Sequence, residues 1–407
     1  MKLRVDALPG GSAPVVDEAR MIDMLLLAGW VYEPDREGSR RQISAVLDEL
    51  VAAGLPVDDR GERRFDAYHT INAIRWAGLT EGYPVWRDRF VRTARVTAAS
   101  FGPDTSTARR FAIRIERTVA VSDGRSRVTV RVPVPVDGGG QSDIVVEPIE
   151  PTESFRRGDG WAEAVIETAG ASTVSLEVNV QVTVTPSCPE LERASIRLAD
   201  VSVADAELYL RPREGVIVIT PAIDSLAHEL AAGARSPWNI VERFWQFAFR
   251  RLWIGPIYHH ALPDPLASVI ANRWSDCYTA SGLLAALCRA VGIPARIVGG
   301  YFLYASSPTN HYWCEVLLPP HGWVPLDLAC WEMAAGDPDE PWARRFLGRI
   351  DYRIVTERLP RQFTGRRGLS VPADLVILQA PTARGARVSV YGVDPHALVY
   401  ADRVEAS

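Results

Sequence analysis

"NRWSDCYTASGLLAALCRAVGIPARIVGGY", residues 272–301, reads as a helix that opens on a cysteine and ends in a strand. Asp276 and Cys277 stand where the polar lead-in gives way to apolar spacing, and Gly292 and Pro294 stop the helix before "ARIVGGY". The spacing predicts a helix over about 277–291 with Leu283, Leu284, Leu287 and Val291 on its packing side. A thiol at a helix start faces unpaired N–H groups and the positive end of the macrodipole, which favour a thiolate and an oxyanion. Cys277 is therefore the candidate nucleophile.

A thiol nucleophile needs a base, and the base needs an orienting group. Two strand-like runs follow the helix, "HYWCEVLL" at 311–318 and "GWVPLDLA" at 322–329, joined by a Pro-Pro-His turn. His311 opens the first and Asp327 lies in the second, so antiparallel pairing would bring carboxylate and imidazole within reach. Leu317 and Val324 are expected to pack this sheet on the Cys277 helix.

Outward from this core the periodicity changes twice. Residues 1–104 read as a helical N-terminal region: Ile43, Val46, Leu47, Leu50 and Val51 form one helical stripe, and "EARMIDMLLLAGWVY" and "FDAYHTINAIRWAGL" look similar. Residues 105–220 read as an antiparallel β domain, most simply a sandwich. Phe111, Ile113 and Ile115, then Val128 to Val136, then Val174 to Val184 each alternate with a period of two. Residues 221–365 form the catalytic core, with a helix opened by Ser236 and Pro237, and 366–407 add short C-terminal β segments.

Composition narrows the functions. With 407 residues, 47% of them hydrophobic, and a net charge of −5, the chain suits a multidomain globular protein without the basic surface that nucleic acid requires. The opening "MKLRVDALPGG" lacks an apolar signal core, and the run at 24–30 is too short for a bilayer. A cytoplasmic location with no membrane partner is the expectation. The five cysteines include no CxxC pair, which argues against a disulfide framework or zinc knuckle. Cys288, Cys314 and Cys330 are read as packing residues. His259 and His260 are not read as metal ligands, since only Asp264 stands near them.

The runs "DCYTASGLLAALCRAVGIPARIVGGY" and "HYWCEVLLPPHGWVPLD" together resemble the core of the transglutaminase-like superfamily. The resemblance spans roughly 110–365 and implies an α+β, papain-like core. Within it Cys277 is the nucleophile, His311 the base and Asp327 the orienting acid. It also implies an upstream oxyanion donor, for which Trp253 and Trp274 are candidates; Tyr278, beside the nucleophile, is a candidate substrate-lining residue. Ser275 departs from the small residue usual two before the cysteine, and Leu328 from the usual proline after the aspartate. Arg296 is read as a structural donor, His321 as a solvated turn residue and the arginines of 345–365 as a solvated face.

The chemistry so implied is attack on an amide or thioester, with the acyl group passed to an amine in transamidation or amide synthesis. Water as acceptor, in a peptidase or amidase, is the first alternative; a non-catalytic scaffold is the second. The acyl substrate would be a small molecule, a peptide or a carrier-protein thioester, and the reaction calls for no metal or organic cofactor.

Overall fold

The computed structural model describes residues 15–27, 36–53, 63–66, 107–121, 127–150, 154–167, 173–187, 189–254, 264–302, 310–328 and 346–358. It also describes a few isolated positions and the segments 388–390 and 403–406. Near the N-terminus, helix Arg36–Ala52 buries Ile43, Leu47 and Leu50, with Val46 and Val51 packed beside them. Helix Glu18–Leu27 buries Met21, Ile22 and Leu25. This region is not helical throughout. Val15–Asp17, Val57–Asp58 and Arg64–Asp66 form a small antiparallel sheet. The run from Phe65, expected to be helical, therefore begins as a strand, which sets the fully buried Phe65 against both Val16 and Val57. Most of that run lies outside the described residues.

The alternating segments form two antiparallel sheets. Arg109–Val121 pairs with Thr173–Val184 from Arg109↔Val184 to Ala120↔Thr173, and Gln141–Pro148 adds to the far side of the latter. The short C-terminal strands Val388–Val390 and Arg403–Ala406 pair with Arg109–Val121. The second sheet joins Arg127–Pro133, Trp161–Glu167 and Arg156–Gly158. Ile113, Ile115, Val130, Val132, Ala164, Val178 and Val180 are all buried in one continuous apolar core, as alternation with one inward face requires.

In the third region, three helices begin with a side-chain cap followed by proline: Thr220 before Pro221–Ala231, Ser236 before Pro237–Arg251, and Asp264 before Pro265–Asn272. They surround helix Cys277–Ala290, in which every residue from Tyr278 to Arg289 is buried. The single apolar stripe read from sequence is thus too narrow, because this helix is enclosed on all sides. Its small residues allow close approach: a Cβ on Gly282 would lie 2.4 Å from Val216 Cγ1.

The helix packs on an antiparallel sheet in the order Trp323–Leu326, Asn310–Leu317, Ala295–Phe302, Arg353–Arg358. Tyr312, Cys314 and Val316 join the core shared with the helix, as does Val324. The pairing Val316↔Val324 therefore takes the role expected of Leu317, one residue out of phase. The edge strand Arg353–Arg358 is covered by the β region. Val136 N–H donates to Val355 O (2.9 Å), while the Gln141 amide accepts from Val355 N–H (2.7 Å) and donates to Val355 O (3.0 Å). The Arg358 guanidinium reaches the carbonyls of Asp137 and Gly138, so the "DGGG" turn at 137–140 is an interface element.

Candidate active site

Cys277 is the first residue of its helix because Asp276 caps it. The Asp276 carboxylate accepts from Thr279 N–H and Thr279 Oγ1, both at 2.7 Å, and the Thr279 hydroxyl accepts from Asp276 N–H at 3.0 Å. The Cys277 sulfur is met by the backbone N–H groups of Tyr278 and of Tyr312, the residue after His311. The thiol thus sits against the His311 strand.

The electrostatics differ from the sequence expectation. Burial pushes the Cys277 thiol up, and the charge of Asp276 adds to that push, as does Asp327; the two N–H groups oppose it without prevailing. The helix start alone does not produce a thiolate here. The residue remains half-buried, so the site is crowded rather than sealed.

His311 is 3% exposed and lies opposite Gly300, whose lack of a side chain leaves the ring unobstructed from that strand. A Cβ on Gly300 would meet Ile354 O at 1.7 Å, which explains the glycine at the point where the register shifts. His311 Nε2 lies 2.9 Å from Asp327 Oδ2. A carboxylate can only accept, so Nε2 carries the proton and Nδ1 is left as the basic nitrogen. Burial lowers the imidazole's proton affinity; Asp327 raises it and Arg353 lowers it further. Burial thus favours the uncharged form of both the Cys277 thiol and the His311 imidazole.

Asp327 follows strand Trp323–Leu326, is 0% exposed, and donates its N–H to Phe346 O at 2.9 Å. The pairing Cys314↔Leu326 brings it alongside the beginning of the His311 strand. His311 and Asp327, sixteen positions apart, are thus brought together.

Two further residues join them. Arg353, expected on a solvated face, is 3% exposed and makes an ion pair with Asp327 Oδ2. Its Nε donates to Asp351 Oδ1 at 3.0 Å, and its guanidinium lies 5.2 Å from the Trp313 ring centroid and 5.7 Å from that of Phe346. The missed signal is the composition of "DYRIVTE": an arginine flanked by Tyr352, Ile354 and Val355, all buried, must find a buried partner.

Of the other expected residues, Trp253 and Trp274 face each other through backbone pairing in a two-stranded parallel ladder, and their side chains lie outside the described residues. Tyr278 is 2% exposed, packs edge-on against Tyr312 with ring centroids 4.9 Å apart, and accepts from Val216 N–H. It is a core residue rather than an open wall. Cys288 and Cys314 are buried; Cys188, Cys330, His259 and His260 lie outside the described residues. Arg296 donates twice to Glu315, at 2.9 and 2.7 Å, and stacks 3.8 Å from the Trp323 centroid, as a structural donor would. His321 is not simply solvated, since its Nε2 lies 3.1 Å from Ser195 Oγ. Among the described residues no group of three His, Cys, Asp or Glu is placed to hold a metal ion, and no helix is long and apolar enough to cross a membrane.

Comparison with known proteins agrees on the core. Residues 224–328 match the family model described as the transglutaminase-like superfamily. Among curated proteins no relative matches. Among solved structures, a candidate cysteine protease from Cytophaga hutchinsonii is 17% identical, with 74% of this chain and 91% of that one covered and a TM-score of 0.49. The periplasmic domain of TgpA from Pseudomonas aeruginosa is 19% identical, with 61% and 96% covered and a TM-score of 0.32. A candidate protease from Parabacteroides distasonis is 12% identical, with 53% and 46% covered and a TM-score of 0.25. Such distant likenesses carry no activity across to this chain. Within a mixed α and β chain, it is thus residues 224–328 that are similar to the transglutaminase-like superfamily.

Proposed function

We propose that this protein is a cysteine-nucleophile enzyme that cleaves an amide through an acyl-enzyme and releases the acyl group to water. His311 Nδ1 takes the Cys277 thiol proton as the sulfur attacks the carbonyl carbon. Backbone N–H groups at the helix start, with Trp253 or Trp274, hold the oxyanion. The tetrahedral intermediate collapses, the C–N bond breaks, and His311 returns the proton to the departing amine. Water, deprotonated by the same imidazole, then attacks the thioester; the C–S bond breaks and the thiol is re-formed. Throughout, Asp327 fixes the tautomer and stabilises the imidazolium as it forms.

The observation that supports this reading is the buried 2.9 Å contact between His311 Nε2 and Asp327, beside a helix whose first residue is Cys277. A neutral thiol–imidazole pair suits general-base attack rather than a standing ion pair. Transfer to an amine shares the first half-reaction and differs only in the acceptor. Water needs no binding site of its own, which makes hydrolysis the simpler completion. With this reading we carry forward the division of the chain at about 105, 221 and 366, a sandwich arrangement of the β region, small-molecule, peptide or carrier-bound substrates, and a cytoplasmic location.

The test is alkylation with iodoacetamide across pH, mapped by mass spectrometry. Labelling is expected to concentrate on Cys277, to rise with pH as His311 loses its proton, and to fall sharply in His311→Ala. Equal, slow labelling of every cysteine would sink the reading and favour a scaffold. Incubating amide or thioester libraries with and without added amines then separates acid products from new amides. Cys277→Ala should abolish turnover while leaving the fold intact.

A further inference from the structure

Asp327 is fully enclosed, and a carboxylate stripped of water is costly unless paired. One hydrogen bond from a neutral imidazole does not supply that pairing. Arg353 does, on the same oxygen that faces His311 Nε2. Arg353 is itself enclosed and is balanced in turn by Asp351 on its Nε, with the Trp313 and Phe346 rings about its guanidinium. The four groups therefore run His311, Asp327, Arg353, Asp351, with alternating charge beyond the imidazole.

We infer that Arg353 and Asp351 are positioning residues for the proposed reaction: Arg353 holds the Asp327 carboxylate aimed at His311, and Asp351 tempers the charge of Arg353. This rests on the reading of Cys277, His311 and Asp327 given above. If the pair acted without Asp351, the arginine would cancel much of the field that Asp327 offers to a forming imidazolium. With Asp351 present, the three fixed charges sum to one negative. Among the described residues, the ionisable groups acting on the imidazole include Asp327, Arg353 and Asp351; Arg353 lowers its proton affinity and both carboxylates raise it.

The arrangement makes a prediction of opposite sign for the two residues, which a purely structural role would not. The full chain would be prepared as wild type, Arg353→Met, Arg353→Lys and Asp351→Asn. His311 would be titrated by NMR and Cys277 alkylation by iodoacetamide followed across pH. In Arg353→Met both midpoints move to higher pH, and the limiting alkylation rate falls by up to about 100-fold as the imidazole loses its aim. In Asp351→Asn the midpoints move to lower pH. Arg353→Lys keeps the charge, so its midpoint returns toward wild type while the limiting rate recovers only in part, since an ammonium cannot reproduce the fork.

Midpoints that stay in place in Asp351→Asn and do not distinguish Arg353→Lys from Arg353→Met overturn the inference. Should Arg353→Met not fold, the comparison of Asp351→Asn and Arg353→Lys with wild type decides. The NMR titration does not depend on turnover. Opposed shifts at His311 with an inert Cys277 would therefore uphold the arrangement of Asp327, Arg353 and Asp351 about the imidazole and defeat the enzyme reading, and the reverse result would do the opposite.

Discussion

Glu357 shows at the level of one residue how burial overrides the ordinary behaviour of a side chain. It is 2% exposed and projects over Gly299, where an added Cβ would fall 2.5 Å from Oε1. Burial pushes this carboxyl up to about 7, with only the Tyr312 side chain drawing it back. A carboxyl raised on folding takes up a proton as the chain folds, so its neutral form is the stable one. Its favourable contribution is complete below the unfolded value of about 4.5 and is lost as pH rises through about 7. Glu357→Gln is therefore expected to match wild type near pH 4.5 and to exceed it by roughly 2–4 kcal/mol at pH 9. Urea denaturation at the two pH values measures this, and equal stabilities at pH 9 would refute it. The same reasoning separates Cys277 from a surface thiol, because no rule of local sequence reports how much water its sulfur has lost.

At the scale of elements, the Cys277 helix joins a local cap to a catalytic geometry. Asp276 satisfies the first turn through Thr279, yet its charge also adds to burial in pushing the neighbouring thiol up. Asn caps about as well as Asp, so Asp276→Asn should change stability by less than about 0.5 kcal/mol. It should also let Cys277 ionise more readily. Faster iodoacetamide labelling at neutral pH, with thermal unfolding unchanged, is the expected outcome; slower labelling would show that the charge acts otherwise. The beginning of this helix at Cys277 is legible in "SDCYTAS", because capping involves neighbours three residues apart. Its enclosure on all sides is not, since that depends on three other helices and a sheet.

For the whole molecule, the β region and the core act on one another through a strand edge. The Gln141 amide replaces a missing strand neighbour for Val355, and Val136 extends the pairing. Gln141→Ala would leave the buried Val355 N–H without its acceptor, at an expected cost of about 1–3 kcal/mol in chemical denaturation. Because Arg353 starts that same strand, Cys277 labelling and His311 titration should be more sensitive to this variant than to exposed substitutions on the β region; indifference would show the two regions to be energetically separate. The features that the sequence by itself determined are those whose physics is local. These are the alternation of the strands, the capped and proline-led helices, and the order of a cysteine at a helix start, a histidine on a strand and an aspartate, expected within the next strand and found just past its end. The features that only the tertiary structure decided depend on distant partners. Phe65 is drawn into a strand by Val16 and Val57. Arg353 reaches Asp327 across 26 positions and Gln141 reaches Val355 across 214. The protonation of Cys277 and His311 belongs with these, because desolvation is set by everything packed around a group and not by its neighbours in the chain.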